Sequence, residues 1–451
     1  MSMKQCLLCV YVWFFCGLDL VGGAPVKLLV NGQAAFDEIV AHLRSASNSV
    51  TINMFIWRDD RIGKRLAREV LAAADRGVTV HISKDLMGGM HEFAEESKRS
   101  FFHQTLPRGL HWRSRAIEWY YPQQGVKGSV QQQVSPLLRS LLTHPNVTID
   151  SDRIKKDHSK YFIFDNNHLI LGGINVEDKE CEQDIRGKTY FDYMVSLHGA
   201  EVVAAFVLAE GQTENDLRSI QFMLNRRSLA SYPIKKRLLA LIDNASSSVI
   251  VTNAYWGDSD ITRAIIAKAN AGLDVSVFVA DRSNIKSDLN RKVMHQLHLA
   301  TRGKVKIYLT RDMLHAKAIA CDGRQYVIGS SNFNRSSFSV YSESNVLLLD
   351  PPESFKRAFV QSIASLKTRS RLVISTNDLR YNRWRAGCER IAHAGSGVFW
   401  SLPAGVLLLV YACVRLFKYV KSISPILGNG KHEKATCTSP LIDSHVVAGS
   451  H

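Results

Sequence analysis

The chain is 451 residues long, 46% hydrophobic and 22% charged, which supplies apolar surface for buried cores and excludes a broadly disordered protein. Lysine and arginine outnumber the acidic residues 57 to 41, a formal net charge of +16 that suits an anionic membrane surface or another polyanion without choosing between them. Of the eight cysteines only Cys6 and Cys9 have C-x-x-C spacing, and they lie with Cys16 in an apolar segment, so neither a zinc module nor a disulfide framework is indicated.

Residues 1–24 carry Lys4, an apolar stretch from Cys6 to Leu18, and Gly22-Gly23-Ala24 before Pro25. This is the layout of a signal peptide or of an uncleaved N-terminal anchor, with Asp19 shortening the apolar run. Val26 to Val30 then reads as a strand, Ala34 to Arg44 as an amphipathic helix and Ser49 to Trp57 as a strand. A helix from Ile62 to Arg76 stops at Gly77, and the strand Val78 to Ser83 completes a β-α-β unit. Arg108 to Tyr121 interleaves Trp112, Trp119, Tyr120 and Tyr121 with Arg113 and Arg115. It reads as a loop packed on its own lobe, with an acyl-chain entrance or a base-stacking surface as the functional alternatives. A helix from Ala200 to Glu210 closes a first lobe placed at residues 25–210.

A polar, basic run containing Arg226-Arg227 and Lys235-Lys236-Arg237 forms the junction to a second lobe at residues 211–366. That lobe repeats the first: strand Ser248 to Tyr255, helix Ile261 to Ala271, a stop at Gly272, strand Val275 to Ala280. Parallel strands with crossover helices predict an α/β fold with helices on both sheet faces. Residues 367–396 read as a basic linker. Gly397 to Val414 carries no charge and reads as the body of a transmembrane helix at 397–417, followed by a polar tail at 418–451.

One pattern occurs twice. His158-Ser159-Lys160 leads to Asp165 and on to Gly172-Gly173-Ile174-Asn175; His315-Ala316-Lys317 leads to Asp322 and on to Gly329-Ser330-Ser331-Asn332. Both read H-x-K-x4-D-x6-G-[GS]-x-N. The apolar runs Tyr161–Phe164 and Ala318–Cys321, turn signals at Asp165-Asn166-Asn167 and Asp322-Gly323, and the returning runs Leu169–Leu171 and Tyr326–Ile328 describe a β-hairpin in each copy. On a strand, side chains at i and i+2 share a face, so each His would point the same way as its Lys. The small residues after each hairpin would let backbone and ligand approach closely.

Two facing copies supply two imidazoles, two ammonium groups and two amides, a set suited to a phosphodiester. One neutral His can attack phosphorus and the other, protonated, can give its proton to the leaving oxygen. Lys160, Lys317, Asn175 and Asn332 would hold the non-bridging oxygens. A Lys two residues from each His argues against a metal site, and no cofactor is expected. Asp165 and Asp322 stand at turn positions, where a local capping role competes with a catalytic one.

The duplicated motif resembles the HKD signature of the phospholipase D superfamily, and over residues 26–365 the chain looks most like its cardiolipin synthase and phosphatidyltransferase branch. The resemblance implies two pseudo-symmetric lobes, each a mixed sheet flanked by helices, and one shared site within a single chain. It implies a phosphohistidine intermediate with His158 as nucleophile and His315 as acid, and catalytic roles for Lys160, Lys317, Asp165 and Asp322. It also implies a downstream acid orienting each His: Asp192 follows motif one and Glu343 follows motif two. The expected function is a membrane-associated phosphatidyltransferase acting on anionic phospholipid. The alternative is a phosphodiester hydrolase, either a phospholipase D releasing phosphatidic acid or a nuclease acting on nucleic acid.

Overall fold

The computed structural model describes residues 26–94, 99–121, 135–181, 189–211 and 217–394. The described residues form seventeen strands. In chain order they are β1 (Val26–Val30), β2 (Ser49–Met54), β3 (Thr79–Lys84), β4 (Val147–Asp150), β5 (Tyr161–Phe164), β6 (His168–Gly172), β7 (Tyr190–Phe191), β8 (Tyr193–His198) and β9 (Ile220–Asn225). Then follow β10 (Ser248–Asn253), β11 (Asp274–Ala280), β12 (Lys306–Thr310), β13 (Met313–Leu314), β14 (Lys317–Cys321), β15 (Gln325–Gly329), β16 (Glu343–Leu349) and β17 (Ser370–Leu372).

One sheet has the order β1-β8-β6-β5-β2-β3-β4 and the other β17-β12-β11-β10-β14-β15-β16-β9. Both are mixed. β2, β3 and β4 are parallel, as are β10, β11 and β12, while the motif hairpins β5-β6 and β14-β15 are antiparallel. Read from β1 and from β9, the two orders match strand for strand, and β17 is an addition to the second. β7 and β13, one from each half, pair with each other.

The crossover helices show the repeat at the level of single residues. Helix Arg61–Asp75 is capped by Asp60, which accepts from the Gly63 amide; helix Ser259–Asn270 is capped by Asp258, which accepts from Asp260 and Ile261. Past their ends Gly77 and Gly272 adopt φ of +95° and +97°, which stops a helix cheaply only where there is no Cβ. Ile62, Leu66, Val70 and Ala73 face the sheet at three- and four-residue spacing, each burial stabilising by about 1–3 kcal/mol according to size.

Three apolar clusters organise the molecule. Two lie within single lobes, between a sheet and its crossover helices. The third joins the lobes: Ile163, Leu169, Leu171 and Val195 of the first sheet share it with Ala320, Tyr326, Ile328 and Val346 of the second, and helices Ala200–Glu210 and Glu353–Thr368 contribute Phe206, Phe355 and Phe359. Helices therefore do not cover both faces of each sheet equally. The inner faces pack largely on one another, because the central strands are apolar on both sides.

Two further expectations are corrected. Arg108–Tyr120 is a helix rather than a loop, with Tyr120 and Tyr121 hydrogen bonded to Arg385 and Glu389. Residues 367–396 are not simply a linker. Ser370–Leu372 pairs with β12, and helix Arg383–Ala394 packs on helix Ser287–Ala300, where buried Glu389 accepts from the Leu289 amide. Among the described residues no helix is long and apolar enough to cross a membrane. The expected span at 397–417, the N-terminal segment 1–24 and the tail 418–451 lie outside the described residues.

Candidate active site

The register places the motifs. Asn53 at the end of β2 stands opposite Tyr161, and Asn253 at the end of β10 opposite Lys317. The residues just before β5 and β14 therefore emerge at the carboxyl ends of the parallel strands, where open α/β sheets present their ligand crevices. His158 is fixed by its backbone, donating to the Ser342 carbonyl at 2.9 Å; the His315 amide donates to the Phe191 carbonyl at 2.9 Å. Each histidine is thus anchored on the opposite half of the chain.

The carboxylates are exchanged in the same way. His158 Nδ1 lies 3.0 Å from Glu343 Oε2, and His315 Nδ1 lies 2.8 Å from Asp192 Oδ2. The acid that follows motif one serves the histidine of motif two, and the reverse. An acid on Nδ1 fixes the proton there and leaves Nε2 with its lone pair. Lys317 Nζ is 3.3 Å from Asp192 Oδ2 and also donates to the His315 carbonyl. Lys160 Nζ donates to the His158 carbonyl at 2.5 Å. Ser330 donates its hydroxyl to Glu343, and the Tyr193 amide donates to Asp192. The His158 ring is walled by Phe55 and Tyr341, with centroids at 4.8 and 6.2 Å, and Tyr190 and Tyr255 lie near His315.

The lobes meet electrostatically at this point: the Lys317 charge acts on His158 and the Lys160 charge acts on His315. Burial, reinforced by Lys317, pushes His315 down to about 3; burial also lowers His158, against the pull of Glu343. Burial lowers Lys160 to about 7 and lowers Lys317 as well. Burial works to raise Asp192, but Lys317 and the His315 hydrogen bond outweigh it and hold the carboxyl low. Burial thus opposes charge on both imidazoles and both ammonium groups, a strain that an incoming phosphate anion would relieve.

Asn175 and Asn332 are buried, and their side-chain carbonyl oxygens have no partner within the described residues, so these oxygens are not spent on the fold. The glycines act differently from expectation. A Cβ on Gly173 would sit 2.4 Å from both Asp192 carboxylate oxygens, and one on Gly172 would sit 2.3 Å from the Tyr193 carbonyl. The corner is small to admit the strand carrying Asp192 rather than to admit a ligand.

Asp165 and Asp322 are not at the site, which corrects their place among the catalytic residues. Each stands at the far end of its motif strand, in the hairpin turn. Asp165 accepts from the amides of Ser47, Asn48 and Ser49, and Asp322 from those of Ser246, Ser247 and Ser248. A four- or five-residue strand at ~3.3 Å per residue separates them from the histidines.

Three residues were missed in the sequence. Glu180, wholly buried, lies 3.8 Å from His315 Nδ1, and burial together with Glu177 and Asp192 pushes its carboxyl well up. Asn53 donates to the Ser159 carbonyl at 3.1 Å, and Asn253 accepts from the Tyr255 and Phe333 amides. Asn53 and Asn253 carried a signal, a polar residue ending a buried strand in both halves; Glu180 carried none. Glu180, Asp192 and His315 are spaced to share a metal ion, but the Lys317 ammonium already stands beside Asp192 as the counter-cation.

The family model described as cardiolipin synthase, PLD-like domain matches residues 39–206 and 238–365. The chain belongs to this family. It is a phospholipase D superfamily enzyme of the phosphodiesterase and phosphatidyltransferase kind. Similar curated proteins include a cardiolipin synthase of Listeria welshimeri, 22% identical over 371 residues covering 77% of this chain and 70% of the relative. Another is cardiolipin synthase A of Pseudomonas entomophila, 24% identical over 365 residues covering 76% of this chain and 67% of the relative. Among solved structures, a phosphatidylserine synthase from Haemophilus influenzae Rd KW20 shares the fold with a TM-score of 0.60 at 13% identity, covering 82% of this chain and 93% of that one. The two-lobe α/β architecture is therefore that of the superfamily.

Proposed function

We propose that this chain is a membrane-associated phosphatidyltransferase of the cardiolipin synthase type, with both halves of the active site supplied by one chain. The observation that supports this best is the exchanged pair of His–carboxylate contacts, which gathers two imidazoles and two lysines in one buried cluster. The names of the relatives favour phospholipid over nucleic acid as substrate.

His158 Nε2 attacks the phosphorus of a phosphatidylglycerol, the bond from phosphorus to the glycerol oxygen breaks, and His315, which takes up a second proton at Nε2 as the phosphate anion enters, gives that oxygen this proton. An acceptor alcohol then loses its proton to His315 and attacks the same phosphorus, breaking the P–N bond and restoring His158. Lys160, Lys317 and the side-chain amide N–H groups of Asn175 and Asn332 donate to the non-bridging oxygens, where charge accumulates in each transition state. Glu343 keeps His158 in the tautomer with a free Nε2, and Asp192 stabilises the His315 imidazolium that the proton transfer requires. The lysines supply the cationic charge, so turnover is expected to persist in EDTA. A C-terminal span over 397–417 would hold the crevice at the bilayer.

The test is to incubate the purified chain with phosphatidylglycerol and, separately, with single-stranded DNA, and to identify products and the modified histidine by mass spectrometry. Cardiolipin with glycerol is the expected product, and His158→Ala and His315→Ala are each expected to abolish it. Phosphatidic acid alone, or nucleotides, would replace the transferase reading with a hydrolase. A phosphatidyl group trapped on His315 instead of His158 would reverse the two roles.

A further inference from the structure

At the end of the first sheet away from the catalytic histidines, three imidazoles and a carboxylate meet. β5 runs from the crevice to its hairpin turn, and His168 opens β6 just beyond that turn, opposite Phe164. His198 ends β8 directly across from His168, and Ser196 lies two residues before it on the same face. Helix Asn31–Ser45 packs on that face, and Glu38 and His42 stand four residues apart on it, one turn above the other. The His42 ring stacks on that of His168 with centroids 3.7 Å apart, and His42 Nε2 lies 3.7 Å from Glu38 Oε1. Ser196 Oγ lies 2.7 Å from His168 Nε2 and 3.3 Å from Glu38 Oε1. Ligand atoms on Glu38, His42 and His168, one from each, all lie within 4.8 Å of one another.

Packing alone does not ask for this set, since valine or threonine would fill the same strand positions. The rings instead turn nitrogens toward one another and toward a carboxylate. His168 Nδ1 lies 3.3 Å from His198 Nδ1. A proton on the first is donated to the second, which leaves His168 Nε2 its lone pair on the side of Ser196 and Glu38. A metal-bound imidazole takes that arrangement, one nitrogen on the ion and the other donating to a fixed acceptor. Two imidazoles and a carboxylate suit zinc and its first-row neighbours better than magnesium or calcium. Around a tetrahedral ion with bonds of ~2.1 Å the ligand atoms stand ~3.4 Å apart, so small side-chain rotations close the present spacing. Glu38 also pairs with Lys27 at 2.7 Å, but through its other oxygen, Oε2, and the Lys27 side chain is 63% exposed and can turn into water. Lys317, buried beside Asp192, has no such exit.

We propose that Glu38, His42 and His168 form a binding site for zinc or a similar divalent transition metal, with His198 fixing the His168 ring from its other nitrogen and water completing the coordination. The ion ties helix Asn31–Ser45 to the edges of β6 and β8 and so acts on stability. The length of β5 separates it from the catalytic histidines, and turnover does not pass through it.

The test uses the full chain without a polyhistidine tag, stripped with EDTA, dialysed and titrated with zinc sulfate in a calorimeter, with melting curves taken alongside. The wild type is expected to bind zinc and to melt at a higher temperature with it. His42→Phe keeps a ring against Phe164 and His168 but removes the ligand, and should weaken binding about a hundredfold or more; His42→Cys, which supplies a zinc ligand again, should recover it. His198→Ala, which removes only the acceptor behind His168, should weaken binding about 10–100-fold. Asp192→Asn, at the catalytic cluster, should bind zinc as the wild type does. X-ray absorption of the zinc-loaded wild type, which needs no variant to fold, should show nitrogen and oxygen neighbours with imidazole scattering. No zinc binding by the wild type would overturn the site, as would a sulfur shell or undiminished binding in His42→Phe. Binding lost in Asp192→Asn, or turnover that EDTA abolishes and zinc restores, would put the ion in the crevice and overturn it as well.

Discussion

Replacing Asp322 by alanine separates the two roles the repeated motif allows for its third residue. The carboxylate accepts from the Ser246, Ser247 and Ser248 amides at 2.9, 2.8 and 2.9 Å and from the hydroxyls of Ser246 and Ser247. Water replaces the hydroxyl contacts easily because Ser246 and Ser247 are exposed. The three amide bonds at a partly solvated turn are worth about 2 kcal/mol together. Asp322 sits at φ +57°, where alanine adds about 1 kcal/mol of strain that Asp322→Gly would relieve. The alanine variant should therefore lose about 3 kcal/mol and roughly 6–12 °C in Tm, at 2–4 °C per kcal/mol. Turnover measured well below the melting transition should stay within a few-fold of wild type.

The Tm difference should depend on pH. Burial works to raise the Asp322 carboxyl, but the Ser248, Ser246 and Ser247 amides outweigh it and hold the folded value below the unfolded ~3.9. A group depressed on folding stabilises fully above its unfolded pKa and loses that contribution as pH falls toward its folded one. The gap between wild type and variant is thus expected to be constant near neutrality and to shrink below about pH 4. A hundredfold loss of turnover with unchanged Tm would refute the reasoning and return this carboxylate to the catalytic set.

Gly173→Ala should cost about a hundredfold or more in kcat, because its Cβ would displace the Asp192 carboxylate from His315; kinetics and a melting curve measured together separate this from unfolding. Glu343→Gln should depress the reaction of His158, 185 positions away in the chain, and leave the melting temperature far less affected than the rate. An equal loss in both would mean that Glu343 holds the lobes together instead of orienting the ring. Lys160→Met should abolish turnover and also change how stability varies with pH. Burial depresses the folded Lys160 to about 7 against an unfolded ~10.4, so the folded state binds fewer protons between those values. Wild type should therefore lose stability relative to the methionine variant as pH falls from about 10 to about 7, and parallel Tm curves across that range would contradict the assignment.

Much of the site was legible because the chain carries it twice. Local spacing named His158, Lys160, His315 and Lys317, and the hairpins that follow them formed where apolar runs and turn residues placed them. The role of Gly173 was misread because a small residue looks the same whether it admits a ligand or a neighbouring carboxylate. Asp165 and Asp322 were grouped with the histidines because sequence distance along a strand does not show which end of it meets the crevice. Residues 370–394 read as linker because their arginines dominate the composition, while the few buried positions that dock them, Val373, Leu379, Ala386 and Glu389, are too sparse to form a period.

By itself the amino-acid order determined the duplicated half-site, the β-α-β units and the class of chemistry, since periodicity, caps and turn residues act over a few neighbours. Only the tertiary structure decided which acid meets which histidine and that Glu180 lies beside His315. Those are contacts between segments tens to hundreds of residues apart, fixed by two sheets packing their apolar inner faces together. That packing turns each lobe's loops toward the other's catalytic strand, so the partners exchange across the interface.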